Sequence, residues 1–160
     1  MSGETGSGPK FHHGSALALG GRGVLIRGAS GSGKSSLLLS LLRRGTAEGL
    51  HARLVADDQV IVMHAGGELR LRAPDATAGL LEVRGVGILR MPFEPSAPLD
   101  LVVDLAERDT LQRLPDENQN TARLLGLAAP RIRLPARDPA FGADVVLTLL
   151  GCGTRRIAVD

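Results

Sequence analysis

Residues 28–35 read Gly28-Ala29-Ser30-Gly31-Ser32-Gly33-Lys34-Ser35, which satisfies G-x-x-x-x-G-K-[ST] at every specified position. The flanks fit the motif. An apolar stretch, Gly23 to Arg27, leads into it as a strand. Ser35 to Arg44 leaves it with Leu38, Leu41 and Leu42 at helical spacing, and Gly45 is expected to end that helix. In such a strand-loop-helix unit the glycines let successive backbone N–H groups turn inward toward phosphates. The helix N-terminus adds its dipole. Lys34 is expected to reach the outer phosphates of a nucleotide, and Ser35 to place a hydroxyl on Mg²⁺. The fold expectation is an α/β nucleotide-binding domain of the P-loop kind, with a mixed sheet and few helices.

Working outward, Ser15 to Leu19 and Gly23 to Arg27 read as strands joined by a Gly20-Gly21 turn. Met1 to Pro9 is rich in Gly and Ser, so residues 1–10 are expected to be a flexible lead, with order beginning near His12 and residues 11–160 forming a single domain. Downstream, Arg53 to Ala56 is a short strand running into Asp57-Asp58. Gln59 to Met63 and Glu68 to Leu71 form a hairpin about His64-Ala65-Gly66-Gly67. Leu80 to Leu89 carries Glu82 and Arg84 on one strand face, and Pro92 to Pro98 is a proline-broken loop. Leu99 to Leu105 is a buried strand, Arg123 to Leu127 a helical stretch, Ile132 to Leu134 an edge strand and Phe141 to Leu149 a closing helix.

Composition narrows the partners. Three Phe, no Trp and no Tyr leave few aromatic platforms for stacking bases. The net charge of +2 is spread with both signs along the chain, without a basic block, so a nucleic-acid partner is not expected. Only Lys10 and Lys34 are lysines among the 19 basic residues, which makes the lysine of the motif stand out. A single cysteine, Cys152, excludes an internal disulfide and reads as a small apolar residue in a reducing cytoplasm. No apolar run has the length of a membrane span, so a soluble protein with no membrane partner is expected.

Phosphoryl chemistry needs carboxylates, and two places offer them. Leu101-Val102-Val103-Asp104 is an apolar run ending in Asp, the form of a metal-supporting strand. Leu54-Val55-Ala56-Asp57-Asp58 has the same form with two carboxylates. Placed on a strand, adjacent side chains of the pair point to opposite faces. One aspartate can then support Mg²⁺ while the other accepts a proton from an acceptor hydroxyl.

Three segments together, GVLIRGASGSGKSS (23–36), RLVADD (53–58) and LLEVRGVGIL (80–89), closely resemble the catalytic domain of HPr kinase/phosphorylase, in a short form without an N-terminal domain. The resemblance runs from about His13 to Leu89 and more loosely to about Leu149. It implies a P-loop fold of the phosphoenolpyruvate carboxykinase type and an ATP- and Mg²⁺-dependent protein-serine kinase. The acceptor it implies is HPr, the phosphocarrier of the sugar phosphotransferase system. By the same resemblance Asp58 is the general base, and Asp57 lies beside the metal with Ser35 and Glu82. Arg84 falls within the signature segment. His13 stands near the base, with His12 as its alternative, and Arg113 matches a catalytic arginine. Residues Gly28, Ala29, Ser30, Gly31, Ser32, Gly33, Lys34 and Ser35 hold the nucleotide. Members of the family assemble into oligomers, often hexamers, so self-association is implied as well.

Two departures from the family pattern stand out. Thr46 to Leu50 lengthens the link before the Asp57-Asp58 strand. Arg137-Asp138-Pro139 occupies the place of a Pro-Gly-Arg type segment tied to dephosphorylation, which bears against the reverse reaction and leaves the forward one intact. A small-molecule kinase and a nucleotide-binding regulatory module remain as rival readings.

Overall fold

Strands that are apolar on both faces need cover on both sides, and several strands of this chain, Ser15–Leu19 and Arg22–Arg27 among them, are of that kind. The computed structural model describes residues 8–151; the expectations placed on Cys152 and on residues 1–7 lie outside the described residues. In chain order the elements are β1 (Lys10–His13), β2 (Ser15–Leu19), β3 (Arg22–Arg27), α1 (Lys34–Ala47), β4 (Ala52–Ala56), β5 (Gln59–Ala65), β6 (Glu68–Arg72), β7 (Leu80–Val83), β8 (Gly87–Arg90), β9 (Ala97–Ala106), β10 (Thr121–Leu124), β11 (Leu127–Pro135) and α2 (Pro139–Gly151). Nine strands join one sheet in the order β1-β5-β6-β9-β3-β2-β4, with β11 also on β9 and carrying β10; β7 and β8 form a separate two-stranded sheet. The pairs β3–β9 and β9–β11 are parallel and the remainder antiparallel, so the sheet is mixed, with two α-helices among the described residues.

Period-two alternation sorts the apolar side chains into two cores. Leu17, Leu19, Val24, Ile26, Leu101 and Val103 face the helices, where they meet Leu37, Leu38, Leu41 and Leu42 of α1 and Ala143, Val146 and Leu147 of α2. Ala16, Ala18, Leu25 and Val102 face the other way, against Val60, Val62, Leu69, Leu71, Ala122 and Leu124. Each fully buried Leu contributes about 1.5–3 kcal/mol to holding α1 on the sheet. That anchoring fixes where the first turn of α1 sits.

The sheet gathers several chain ends on one edge. The strands β3, β9 and β11 run parallel, and β4 runs the same way because β2 is antiparallel to both β3 and β4. All four therefore end on the same side. Their next residues are Gly28 after β3, Asp57 after β4, Glu107 after β9 and Ala136-Arg137 after β11. Crevices beyond the carboxyl ends of parallel strands are where ligands bind in open α/β sheets.

The register of β3 on β9 depends on Gly23. The ladder shifts between Gly23 and Val24, and a Cβ at Gly23 would lie 2.1 Å from the Pro98 carbonyl oxygen. Gly23→Ala is expected to lower unfolding free energy by about 1–3 kcal/mol or more, read from urea denaturation. An unchanged midpoint would show that the strands can part there without cost.

Several elements differ from their sequence-based expectations. The first strand starts at Lys10, two residues before His12, because β1 pairs antiparallel with β5 through Lys10↔Val62. Helix α1 continues through Gly45 to Ala47. Gly45 is there for close approach, since a Cβ would stand 2.9 Å from Leu19 Cδ2 and 3.2 Å from Ala52 Cβ. Arg123 to Leu127 is not helical: Leu125 and Gly126 take left-handed φ values of 50° and 79°, forming a two-residue turn that folds β10 back on β11. Strand β11 is accordingly longer than Ile132 to Leu134. Strand β9 begins at Ala97, inside the expected proline loop. Leu80 to Leu89 is a hairpin rather than one strand, and Arg84 lies in its turn, beyond the strand that carries Glu82.

Candidate active site

The glycine loop 28–33 is built as its sequence requires. Gly31 and Gly33 take left-handed φ values of 79° and 92°, and a Cβ at Gly28 would lie 2.5 Å from Ser32 Oγ. The Ser32 N–H donates to the Ala29 carbonyl at 3.0 Å, closing a turn. Gly33 caps α1 without a side-chain hydrogen bond, and the first helical turn holds no acidic residue. Its N-terminal amides are therefore left for an anion, and no local carboxylate offsets the dipole. Lys34 is buried at 9% exposure, and its ammonium donates to the Gly28 and Ala29 carbonyl oxygens at 2.9 and 3.0 Å. The charge is thereby held within the loop.

Asp57 and Asp58 follow β4 rather than lying on it. Strand β4 ends at Ala56, and Asp58 has a left-handed φ of 69°. The two carboxylates diverge because of this turn and not because of strand alternation. Asp57 turns toward α1: its Oδ1 accepts the Ser35 hydroxyl at 3.1 Å and the Ser15 hydroxyl at 2.9 Å, and its Oδ2 accepts the Glu82 backbone N–H at 3.3 Å. Asp58 turns toward β1, where Oδ1 stands 3.4 Å from His13 Nδ1, with both side chains largely exposed. One carboxylate is held by three donors from three elements. The other is open to solvent beside a histidine.

These groups line one open cleft of about 980 Å³, with Ser30, Gly31, Gly33, Lys34, Ser35, Asp57, Asp58, His13, Glu82 and Arg84 on its walls. The hairpin β7–β8 closes one side. His13, not His12, faces this cleft; His12 is half-buried, and burial, with the charges of Arg27 and Lys10, pushes its imidazole below the usual range. Arg113 does not line the cleft. It is exposed in the irregular segment between two short 3-10 turns, Arg108–Thr110 and Glu117–Asn120.

Asp104, the rival metal carboxylate, is committed elsewhere. Arg27 Nε and Nη2 donate to its two oxygens at 2.7 and 2.8 Å, and Arg131 donates to Oδ2 as well. Burial alone raises a carboxyl pKa, but here the hydrogen bonds and charges of the two arginines outweigh it and hold Asp104 below the usual carboxylate range. With both oxygens taken by guanidinium groups, Asp104 fastens β3, β9 and β11 together instead of serving a metal.

Two residues at the cleft are not among the site residues expected from sequence, although Arg137 falls in the segment compared with the family's Pro-Gly-Arg pattern. Ser15 is 1% exposed, and its hydroxyl fixes Asp57. Arg137 also lines the cleft: its backbone N–H donates to the Ser32 carbonyl at 2.9 Å, and a Cβ at Gly33 would lie 3.3 Å from that nitrogen. Ser15 carries no such signal, and for Arg137 the sequence offers only its place in that segment; the pairing of β2 and β11 in the sheet brings both to the cleft.

The donor set fits a hard cation. Among the described residues no group of three or more His, Cys, Asp or Glu is gathered as an all-protein metal cage. Around Ser35 the donors are oxygens: its hydroxyl and the Asp57 carboxylate are in contact, and Glu82 lines the same cleft. Mg²⁺ is commonly held in this way, by one or two carboxylates with nucleotide phosphates completing the shell.

Comparison with known proteins gives the family of the chain. Residues 7–147 match the family profile described as HPr Serine kinase C-terminal domain. The chain belongs to this family. HPr kinase/phosphorylase of Clostridium novyi is 46% identical over 80 residues, covering 50% of this chain and 24% of that protein. The HPr kinase/phosphorylase of Alkaliphilus metalliredigens is 33% identical over 146 residues, covering 84% of this chain and 45% of that one. The chain thus spans less than half the length of these relatives. The solved structure of the Hpr(Ser) kinase/phosphatase from Coxiella burnetii superposes with a TM-score of 0.73 at 25% identity, over 88% of this chain and 90% of that one. Membership accounts for the mixed sheet with two helices. No helix among the described residues is long and apolar enough to cross a membrane.

Proposed function

We propose that this chain is an ATP- and Mg²⁺-dependent protein-serine kinase domain that phosphorylates the phosphocarrier HPr. The observation that carries the reading is the division of labour at Asp57-Asp58. One carboxylate is bonded to the hydroxyl that comes directly after the loop lysine; its neighbour is exposed 3.4 Å from a histidine on the same cleft. We read the described residues as one kinase domain with a P-loop fold of the phosphoenolpyruvate carboxykinase type. By the same family resemblance we expect it to self-associate and to act in the cytoplasm.

In this reading the loop amides and Lys34 hold the phosphate tail, and Ser35, Asp57 and Glu82 hold Mg²⁺. The metal supplies charge neutralisation on the phosphate oxygens. Asp58 takes the proton from the acceptor serine as its oxygen bonds to the γ-phosphorus and the bond to the β-phosphate oxygen breaks, releasing ADP. His13 orients Asp58. The α1 amides stabilise charge that develops on the transferred group. Arg113 does not line this cleft, and its role as catalytic arginine rests on the family resemblance alone.

The test is direct. The chain incubated with MgATP and purified HPr is expected to add one phosphoryl group to a single HPr serine, mapped by mass spectrometry. Tight ATP binding with no transfer to HPr would instead favour a regulatory module. Transfer to a small hydroxyl compound in preference to HPr would favour a small-molecule kinase.

A further inference from the structure

Three neighbouring parallel strands deliver their next residues to the rim of one loop. Strand β3 runs into Gly28, β9 into Glu107 and β11 into Ala136-Arg137, where the Ala136 N–H donates to the Ala106 carbonyl at 2.8 Å. Arg137 is one of three non-glycine residues with positive φ among the described residues, at 58°. Such a backbone is costly for a residue with a Cβ, and it persists where surrounding contacts over-determine it. Here the contacts are to the loop itself. The backbone N–H bonds to the Ser32 carbonyl, and Nη1 reaches the Gly31 carbonyl at 3.5 Å.

The other arm of the guanidinium bonds to Glu107 Oε2 at 2.5 Å, with side-chain exposures of 57% and 60%. Exposed pairs of this kind hold weakly. The adjacent pair, Arg108 with Asp138 at 3.0 Å, ties the same two segments together without entering the cleft lining. The segments stay in place if Arg137 and Glu107 part, because the Ala136 N–H still bonds to the Ala106 carbonyl.

We propose that Arg137 is a second cationic ligand, beside Lys34, for the phosphate tail of the nucleotide, and that Glu107 is the partner it leaves when phosphate arrives. A phosphate tail offers several anionic oxygens and accepts the planar fork of a guanidinium in bidentate fashion. A single exposed carboxylate competes poorly with that. Because the strained backbone is clamped to Ser32, the side chain departs from a fixed point on the loop rim. The inference rests on the nucleotide reading above and goes beyond it by naming a residue pair that the motif does not contain.

Calorimetric titration of MgATP into wild type, Arg137→Asn, Glu107→Gln and Lys34→Met tests it. Asn tolerates the left-handed backbone and keeps the N–H bonded to Ser32, so Arg137→Asn removes the guanidinium alone. It is expected to weaken MgATP binding about tenfold with an unchanged thermal midpoint, and Arg137→Lys to recover part of that loss. Glu107→Gln frees the guanidinium and is expected to tighten binding, up to about fivefold. The opposite signs are the signature of exchange. If Arg137→Asn binds as wild type does while Lys34→Met does not, the proposal fails and the nucleotide reading stands. Weakening by Glu107→Gln equal to that by Arg137→Asn would make the pair structural and overturn the exchange. Unaltered binding in Lys34→Met would remove the nucleotide reading and this inference with it.

Discussion

Asp58→Asn is expected to lower the rate of serine phosphorylation by about 10²–10⁴-fold while MgATP affinity stays within about twofold of wild type. The size reflects the role: removing a positioned base deletes proton transfer from the transition state and nothing else. The substitution is chosen for its backbone as well. Asp58 sits at φ 69°, and Asn is one of the few residues that accepts this region, so the turn after β4 and the Gly14 N–H bond to the Asp58 carbonyl at 3.0 Å should survive. Asp58→Ala would confound strain with chemistry. Asp57→Asn serves as the contrast, because its loss should appear as a raised Mg²⁺ requirement. Single-turnover phosphorylation of HPr alongside nucleotide titration separates the two effects. Transfer at the wild-type rate in Asp58→Asn would remove Asp58 as the base.

Asp104→Ala is expected to cost about 3 kcal/mol of stability, because it strands two guanidinium groups around a carboxylate that is only 16% exposed. The pH dependence carries its own signature. The folded pKa of Asp104 is depressed, so its stabilisation is fully present above the unfolded value, near about pH 4, and is lost as pH falls through the folded value. The gap between wild type and Asp104→Ala in urea unfolding should therefore be widest near neutrality and should narrow on acidification below about pH 4. A gap that is constant with pH would mean that the arginines do not act through charge. A gap below about 1 kcal/mol would mean that the cluster is dispensable.

What the sequence disclosed divides along a physical line. Local signals were readable: the glycine loop, the strands before it, the Gly66-Gly67 hairpin and the face of α1 all arise from short-range pattern. The identities of the cleft residues were readable too, since His13, Lys34, Ser35, Asp57, Asp58 and Glu82 converge on one cavity. Pairings made across long stretches of chain were not readable. Asp104 had the form of a metal-supporting residue, and only the arrival of Arg27 and Arg131 across the sheet shows why it is not one. Arg113, matched to a family arginine by its neighbours in sequence, does not line the cleft, whereas Arg137, which follows β11, does. The expected helix at Arg123 to Leu127 failed because Leu at a left-handed turn position carries no turn signal; the hairpin is set by Gly126 and by the core that Ala122 and Leu124 enter.

The way β3 is flanked also governs the order in which this domain can come into being. One neighbour, β2, precedes it at once in the chain; the other is β9, and Arg27 meets Asp104 across 77 positions. The loop rim then waits longer, since Gly31 meets Arg137 across 106. Contacts this distant must close large loops before they return any energy, which slows folding. On the ribosome the glycine loop therefore emerges ahead of β9 and β11 and stays bare on one side until they have left the exit tunnel. The loop rim is therefore completed late in folding, although the glycine loop precedes both strands in the chain.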